Sequence, residues 1–124
     1  MPRDNRNFYR LPVSIPAFSA RKGLHDGSTI ALSDPLILDL SIGGMKLHVR
    51  EPVQANDPLK ITFSFAGESF DVEGVTVWVA DSEYTSRRLI GLRFEGVDAK
   101  MRERLARLIH REQIRKLKMG VGGR

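Results

Sequence analysis

The stretch LILDLSIGGMKLHV at residues 36–49 holds the strongest structural signal in the chain. Apolar residues occupy alternate positions on both sides of its glycine pair: Leu36, Leu38 and Leu40 before it, and Met45, Leu47 and Val49 after it. A period of two is typical of a strand that turns one face to a hydrophobic core. The stretch therefore predicts two consecutive strands, with the sequence DLSIGG (residues 39–44) where one ends and the next begins.

The same alternation extends outward over residues 13–95. The further apolar series are Val13, Ile15 and Ala17; Leu59, Ile61, Phe63 and Phe65; Phe70 and Val72; Val75, Val77 and Val79; and Ile90, Leu92 and Phe94. The breaks between them, such as HDGS at residues 25–28, contain residues that favour turns. Six or seven strands without intervening helices predict a mainly β fold, an antiparallel barrel or sandwich. Closure is favoured, because a flat sheet would expose reactive edges.

The apolar spacing changes to that of a helix after Asp98. The residues on the predicted helical face are Met101, Leu105, Leu108 and Ile109. Asp98 suits the N-cap, and Gly120 suits a C-terminal stop. Ile114 and Leu117 fall off this face, which leaves open whether they contact the barrel rim or a partner. The predicted organisation is an arm at 1–11, a barrel at 12–97, an amphipathic helix at 98–118 and a mobile tail at 119–124.

Length and composition fit one folded domain. The chain has 124 residues, of which 41% are hydrophobic and 28% charged, so wholesale disorder is excluded. The absence of cysteine excludes disulfides, thiolate metal sites and a thiol nucleophile. No apolar run reaches the ~20 residues of a membrane span, and the first residues are too polar for a signal peptide. We therefore expect a cytoplasmic protein.

The net charge of +5 is concentrated near the C-terminus. From residue 99 onward, nine lysines and arginines and two acidic residues give +7, whereas residues 1–98 carry 11 basic and 13 acidic residues, giving −2. A neutral body with basic ends favours nucleic-acid binding less than a uniformly basic surface would. A nucleic-acid-binding module that uses the basic helix is therefore kept as an alternative function.

The sequence contains no recognisable catalytic or metal-binding constellation. The three histidines, His25, His48 and His110, lack the spacing of metal ligands. Ser41 lacks the small neighbours of a nucleophile elbow, and the glycine pair lacks the lysine and hydroxyl residue of a P-loop. The chain is predicted not to be an enzyme and to carry no metal or cofactor.

Two short motifs occur in a definite order: RNFYR at residues 6–10 has the form RxxxR, and DLSIGG has the form DxSxxG. With the strand VTVWV at residues 75–79, the strand GLRF at residues 91–94 and the closing helix, they resemble the PilZ family, bacterial receptors for cyclic di-GMP. The resemblance covers roughly residues 5–115. It implies a PilZ-type β-barrel in a stand-alone, single-domain member.

The resemblance also implies cyclic di-GMP as the ligand, with six ligand-binding residues: Arg6, Arg10, Asp39, Ser41, Gly43 and Gly44. Arginine can bind a phosphate, read the O6/N7 edge of guanine or stack on a purine. In this interpretation Asp39 accepts hydrogen bonds from guanine N–H groups, and Ser41 bonds the ligand or supports Asp39. The two glycines allow the backbone to turn and to approach the ligand.

The resemblance further implies an adaptor, whose arm changes conformation on ligand binding and signals to an unidentified effector protein. Motility, biofilm or polysaccharide control are the expected settings, and a monomer or weak dimer is the expected state. A PilZ-like scaffold that binds no ligand is a further alternative, against which the intact motifs argue. Outside the motifs, Trp78 is interpreted as a core or rim aromatic and Arg93 as a solvent-facing charge.

Overall fold

The strands and the helix follow one another in the order that the residue pattern predicts. The computed structural model describes residues 9–81 and 86–122, with side chains through residue 118. The elements are β1 (Leu11–Pro16), β2 (Ser19–Gly23), β3 (Thr29–Ala31), β4 (Leu36–Leu40), β5 (Gly44–Val49), β6 (Pro58–Phe65), β7 (Glu68–Asp81), β8 (Arg88–Glu95) and α1 (Ala99–Gly122). Most of the predicted arm, including Arg6, lies outside the described residues.

The strands form one antiparallel sheet in the order β1-β4-β5-β8-β7-β6-β2-β3. The sheet curls into a half-barrel, which brings β1 close to β6. The predicted mainly β fold with a C-terminal helix is confirmed. The described residues form eight strands rather than six or seven, because β2 and β3 pair as a hairpin without apolar alternation, with Arg21 opposite Ala31.

The hydrophobic core joins the curled sheet to one face of α1. The alternation predicted on β6 is confirmed, since Leu59, Ile61, Phe63 and Phe65 are all buried. The rings of Phe63 and Phe70 stack with centroids 5.4 Å apart. Each such side chain contributes about 1.5–3 kcal/mol when fully buried, so these positions contribute much of the stability of the fold.

The alternation predicted on β4 is wrong in its detail. Ile37 and Leu40 are fully buried, whereas Leu36 and Leu38 are only half-buried. The pairing of β4 with β5 shifts its register between Ile37 and Asp39, as at a β-bulge. This irregularity allows two residues three positions apart to share the core face. It also fixes the position of Asp39 beside the edge of the core.

Strand β7 departs from its predicted alternation in the same way. The series of Phe70 and Val72 continues through Gly74 and Thr76, which are both buried. The register with β8 then shifts between Thr76 and Trp78. Val77, which was predicted to face the core, lies on the opposite face from Thr76 and is exposed, and after the shift Trp78 is exposed as well. The exposed pair lies next to β8, where the candidate site is found.

The closing helix begins where predicted. The Asp98 carboxylate accepts a hydrogen bond from the Met101 amide at 2.8 Å, as an N-cap does. The helix continues to Gly122, so Gly120 does not stop it as predicted. Leu105, Leu108 and Ile109 are buried, and Met101 packs against the core. None of the helices among the described residues has the length and apolar character that a membrane span requires.

Ile114 and Leu117, which the sequence left open between a contact with the barrel rim and a contact with a partner, are both exposed. The helix is attached to the sheet elsewhere. Arg104 pairs with Glu68 at 3.0 Å and lies over the ring of Phe70, with 4.6 Å from Cζ to the centroid. Nearer the C-terminus, the Lys116 ammonium donates a hydrogen bond to the Pro12 carbonyl at 2.8 Å. These contacts hold α1 against β1 and the β6–β7 hairpin.

Candidate functional site

The centre of the site is an ion pair between Arg10 and Asp39. Arg10 directly precedes β1, and the antiparallel pairing of Pro12 with Asp39 on β4 brings the two side chains together. The guanidinium donates from Nε to Oδ2 at 3.2 Å and from Nη2 to Oδ1 at 2.8 Å. The Lys46 ammonium lies 3.7 Å from Oδ2. A nearly buried carboxylate is thus held by two cations, which fixes the direction of the guanidinium.

Ser41 supports the turn that follows Asp39. Its hydroxyl accepts hydrogen bonds from the amides of Gly43 and Gly44, at 3.2 and 3.1 Å. The same hydroxyl donates a hydrogen bond to the Gly44 carbonyl at 3.3 Å. The Ser41 amide donates to the same carbonyl at 2.9 Å. Ser41 is fully buried, so its observed role is to close the turn between β4 and β5.

The second glycine of the turn, Gly44, allows β5 to approach β8. A Cβ at Gly44 would lie 2.1 Å from the Leu92 carbonyl oxygen, a distance that no side chain can adopt. The Gly43 carbonyl accepts a hydrogen bond from the Phe94 amide at 2.9 Å. The DxSxxG motif therefore has a local cause in this fold: serine closes the turn, and the last glycine permits the strand pairing.

A cavity of about 400 Å³ opens beside the ion pair. It is lined by Arg10, Asp39, Gly44, Lys46, Val77, Trp78, Gly91, Leu92 and Arg93. Its size lies within the range of small-molecule sites. A larger cavity, of about 560 Å³, lies around Lys22, His25 and Asn56, but none of the motif residues lines it. The smaller cavity is therefore the candidate binding site, because residues of both motifs line it.

Trp78 forms the aromatic wall of this cavity. It pairs across the strands with Gly91, and its ring occupies the space that a Cβ at Gly91 would need, with Nε1 at 2.2 Å from that position. The side chain is nevertheless 41% exposed. A flat aromatic surface supported by backbone and open to solvent is suited to stacking a planar ring.

The charges of the lining favour an anion. Three of its side chains, Arg10, Lys46 and Arg93, are cationic, and Asp39 is its acidic one. Arg93 also pairs with Glu95 at 3.0 Å, on the exposed side of β8. The arrangement therefore offers guanidinium donors and an aromatic face to one ligand. No group of residues able to hold a metal ion occurs in the described part of the chain.

The structure brings Arg10, Asp39 and Gly44 into one cavity and places Ser41 and Gly43 in the turn below it. The position of Arg6 is not described. Six lining residues were not among the predicted site residues: Lys46, Val77, Trp78, Gly91, Leu92 and Arg93. For Trp78 the sequence signal was the glycine in GLRF, Gly91, which leaves room for a ring on the neighbouring strand.

Comparison with known proteins identifies the fold and the family. The model of the PilZ domain matches residues 4–111. A structure of YcgR from Escherichia coli in complex with c-di-GMP superposes with a TM-score of 0.72 at 18% identity, over 98% of this chain and 51% of that one. This chain thus spans about half the length of that YcgR structure.

Two further solved structures are similar. The PilZ domain with c-di-GMP of Escherichia coli YcgR has a TM-score of 0.63 at 18% identity, over 93% of this chain and 98% of that one. The Bacillus subtilis inhibitor of motility, MotI/DgrA, has a TM-score of 0.68 at 16% identity, over 94% and 54% of the two chains. No curated protein sequence matches this one. The match of the family model over most of the chain shows that it belongs to the PilZ domain family.

Proposed function

We propose that this chain is a receptor for cyclic di-GMP, without catalytic activity of its own, that signals to a partner protein. The observation that carries the proposal is the cavity in which the Arg10–Asp39 pair lies opposite the exposed ring of Trp78. Cyclic di-GMP carries two phosphates and two guanines, so it presents the anionic groups and planar rings that such a lining complements. Membership of the PilZ family, whose relative YcgR is found in complex with c-di-GMP, supports the same ligand.

Arg10 is the main ligand-binding residue in this proposal. Its guanidinium carries five N–H donors, and Asp39 accepts from Nε and Nη2, so Nη1 remains available to a phosphate or to the O6/N7 edge of guanine. Asp39 acts first as a positioning residue for Arg10. Because Lys46 also lies beside that carboxylate, the proposed acceptance of guanine N–H bonds by Asp39 is secondary.

Trp78 completes the site by stacking on a purine. Base–aromatic stacking contributes about 1–3 kcal/mol per base. Arg93 lies on the same wall and supplies a second guanidinium for a phosphate. The RxxxR motif adds Arg6, four residues before Arg10, which we place on the ligand from the arm.

The arm supplies the proposed switch. Residues 1–11 contain few apolar groups, and Arg3, Arg6 and Arg10 repel one another. Binding of a ligand with two phosphates removes this repulsion and holds the arm against the cavity, which changes the surface that a partner meets. Backbone relaxation of residues 3–8, which precede the Arg10–Asp39 pair, tests the switch: order parameters should lie below about 0.6 without ligand and approach 0.85 with it. Equal values in both states would contradict it.

The partner is proposed to belong to machinery for motility, biofilm formation or polysaccharide synthesis. Among the similar structures, MotI/DgrA is an inhibitor of motility, and another is the PilZ domain of CeSA from a cellulose-synthesizing bacterium, with a TM-score of 0.54 at 19% identity. The ligand-dependent surface around the arm would carry the signal to it. The protein itself supplies a binding equilibrium and no chemical step.

Isothermal titration of the full chain with cyclic di-GMP tests the proposal, with GTP and a short DNA duplex as comparison ligands. We expect saturable binding of cyclic di-GMP alone, with a Kd on the order of micromolar to high nanomolar. Trp78 is the only tryptophan, so its fluorescence reports binding at the cavity independently. Tighter binding of the duplex would instead support the nucleic-acid function, and absence of nucleotide binding would support the scaffold.

A further inference from the structure

A row of cationic side chains follows α1 along the exposed flank of its core-facing side. The row consists of Lys100, Arg107, Arg111, Arg115 and Lys118, and all five are exposed. With 3.6 residues per turn they fall within an arc of about 80°, and with a rise of 1.5 Å per residue they extend over about 27 Å. We call this row the cationic face.

Few charges of the cationic face form ion pairs, although Glu103 lines the same groove as Lys100 and Arg107. Within the part of the chain that the structure describes, Arg115 pairs with Glu112 at 3.1 Å, and the other four have no ion-pair partner. An exposed pair of this kind contributes little. The neighbouring Arg104 differs, because it is bound to Glu68 and to the Ser69 carbonyl and helps attach the helix. The cationic face has no comparable role in the fold.

Two exposed apolar side chains lie beside the cationic face. Ile114 is adjacent to it around the helix, and Leu117 follows one turn later with 64% of its surface exposed. They lie apart from the helical face of Leu105, Leu108 and Ile109, which is buried in the core. A surface that combines a row of guanidinium and ammonium groups with two aliphatic anchors suits a ligand that has both chemistries.

We propose that this surface binds an acidic amphipathic segment of a partner protein. Carboxylates of the segment pair with the cationic face, and its aliphatic side chains contact Ile114 and Leu117, as in the docking of a helix on an amphipathic surface. The inference rests on the proposed adaptor function only in explaining why a partner protein would bind here. The binding surface is separate from the nucleotide cavity and shares no residue with it.

Other occupants fit less well. A second copy of this chain would bring the cationic face against itself, which charge repulsion opposes. A nucleic acid would satisfy the cations but would leave Ile114 and Leu117 without apolar contacts. A bilayer surface requires a broad apolar face to insert, and the main apolar face of α1 is already packed in the core.

Fluorescence anisotropy with the full chain tests the inference in the absence of nucleotide. The probe is a labelled synthetic helical peptide with leucine on one face and glutamate elsewhere. The comparison probes are a peptide of the same length and charge with serine in place of leucine, a DNA duplex, and phosphatidylglycerol vesicles. We expect the amphipathic peptide to bind at least about tenfold more tightly than the other three, a difference of about 1.4 kcal/mol.

Matched variants locate the binding surface. Arg111→Glu and Leu117→Ser should each weaken peptide binding about tenfold, whereas Lys60→Glu and Phe18→Ser, which change exposed residues outside the helix, should not. All four should keep the thermal midpoint of the parent chain. Equal binding of any comparison probe, no binding of the peptide, or equal effects of the control variants would overturn the inference. Cyclic di-GMP binding of Arg111→Glu should be unchanged, so the nucleotide site is judged separately.

Discussion

Arg10 is the residue whose loss should weaken ligand binding most in the proposed site, because it lies between the arm, Asp39 at the end of β4, and the ligand. We expect Arg10→Ala to weaken cyclic di-GMP binding roughly tenfold to a hundredfold, since a charge-assisted hydrogen bond contributes about 1.5–3 kcal/mol. Arg10→Lys should restore little, because an ammonium cannot form the two-pronged pair with Asp39. Titration calorimetry measures both, with Arg50→Ala as the control at an exposed arginine. Unchanged affinity in Arg10→Ala would contradict the assignment of the site.

Asp39 tests whether the carboxylate acts through Arg10. Asp39→Asn removes the charge that Arg10 and Lys46 share and leaves two cations close to a nearly buried amide. We expect a lower thermal midpoint without ligand, because the side chain of residue 39 no longer compensates the neighbouring charges of Arg10 and Lys46. Nucleotide binding should also weaken. If the double variant Arg10→Ala/Asp39→Asn binds no more weakly than Arg10→Ala, Asp39 acts by positioning Arg10; additive losses would instead show a separate contact with the ligand.

Gly91 tests the packing of β7 on β8, the element that supports the aromatic wall. Gly91→Ala places a methyl group where the Trp78 ring lies, so the ring must move. We expect weaker cyclic di-GMP binding and a shifted tryptophan emission maximum before any ligand is added. Glu73→Ala, at an exposed position on β7 that does not line this cavity, is the control for general damage to the strand. A Gly91→Ala protein with parental emission and affinity would show that the ring is not held as described.

At the level of the elements, regular strands could be predicted from the sequence and irregular ones could not. The alternation on β6 gave the correct buried face from Leu59 to Phe65. On β4 and β7 it failed, because register shifts after Ile37 and Thr76 let neighbouring residues change faces. A bulge has no periodic signature of its own. The same shifts place Asp39 and Trp78 at the site, so the least predictable backbone is also where the candidate site lies.

The candidate site could be predicted as far as its motifs extend along the chain. RxxxR and DxSxxG led to Arg10, Asp39 and the β4–β5 turn. Trp78 and Arg93 could not be assigned in this way, because their place in the cavity depends on how β7 pairs with β8. Ser41 was predicted to bond the ligand or to support Asp39. In the structure its hydroxyl accepts hydrogen bonds from the Gly43 and Gly44 amides of the turn.

At the scale of the whole molecule, a hydrogen-bonded contact between two loops, that of Glu51 with Ser33, makes part of the folding stability depend on pH. The Glu51 carboxylate accepts hydrogen bonds from the Ser33 amide and hydroxyl, and so ties two loops together. Burial raises the pKa of Glu51, but the hydrogen bonds from Ser33, its own backbone amide and the charge of Arg50 outweigh it and hold the pKa below the ordinary value of 4.5. Ionised Glu51 therefore stabilises the fold fully above pH 4.5. This stabilisation is lost as pH falls through the lower pKa of the folded state.

Glu51→Gln should accordingly be less stable than the parent at neutral pH. The difference should shrink as pH falls below 4.5, because the parent carboxyl then becomes protonated as well. Urea midpoints at neutral and acidic pH measure it, with Glu73→Gln on β7 as the control. A difference between parent and Glu51→Gln that grows on acidification would contradict this account of the loop contact.

The central claim is that cyclic di-GMP binds in the cavity between the Arg10–Asp39 pair and Trp78. Titration followed by amide correlation spectra of the full chain tests it most directly, because the Trp78 indole N–H and the amides of Gly44 and Gly91 report from that lining. We predict that these three resonances shift together, with one common Kd, while His25 and Asn56 of the larger cavity keep their positions. Shifts centred on His25 and Asn56, or no shift at the Trp78 indole at saturation, would contradict it.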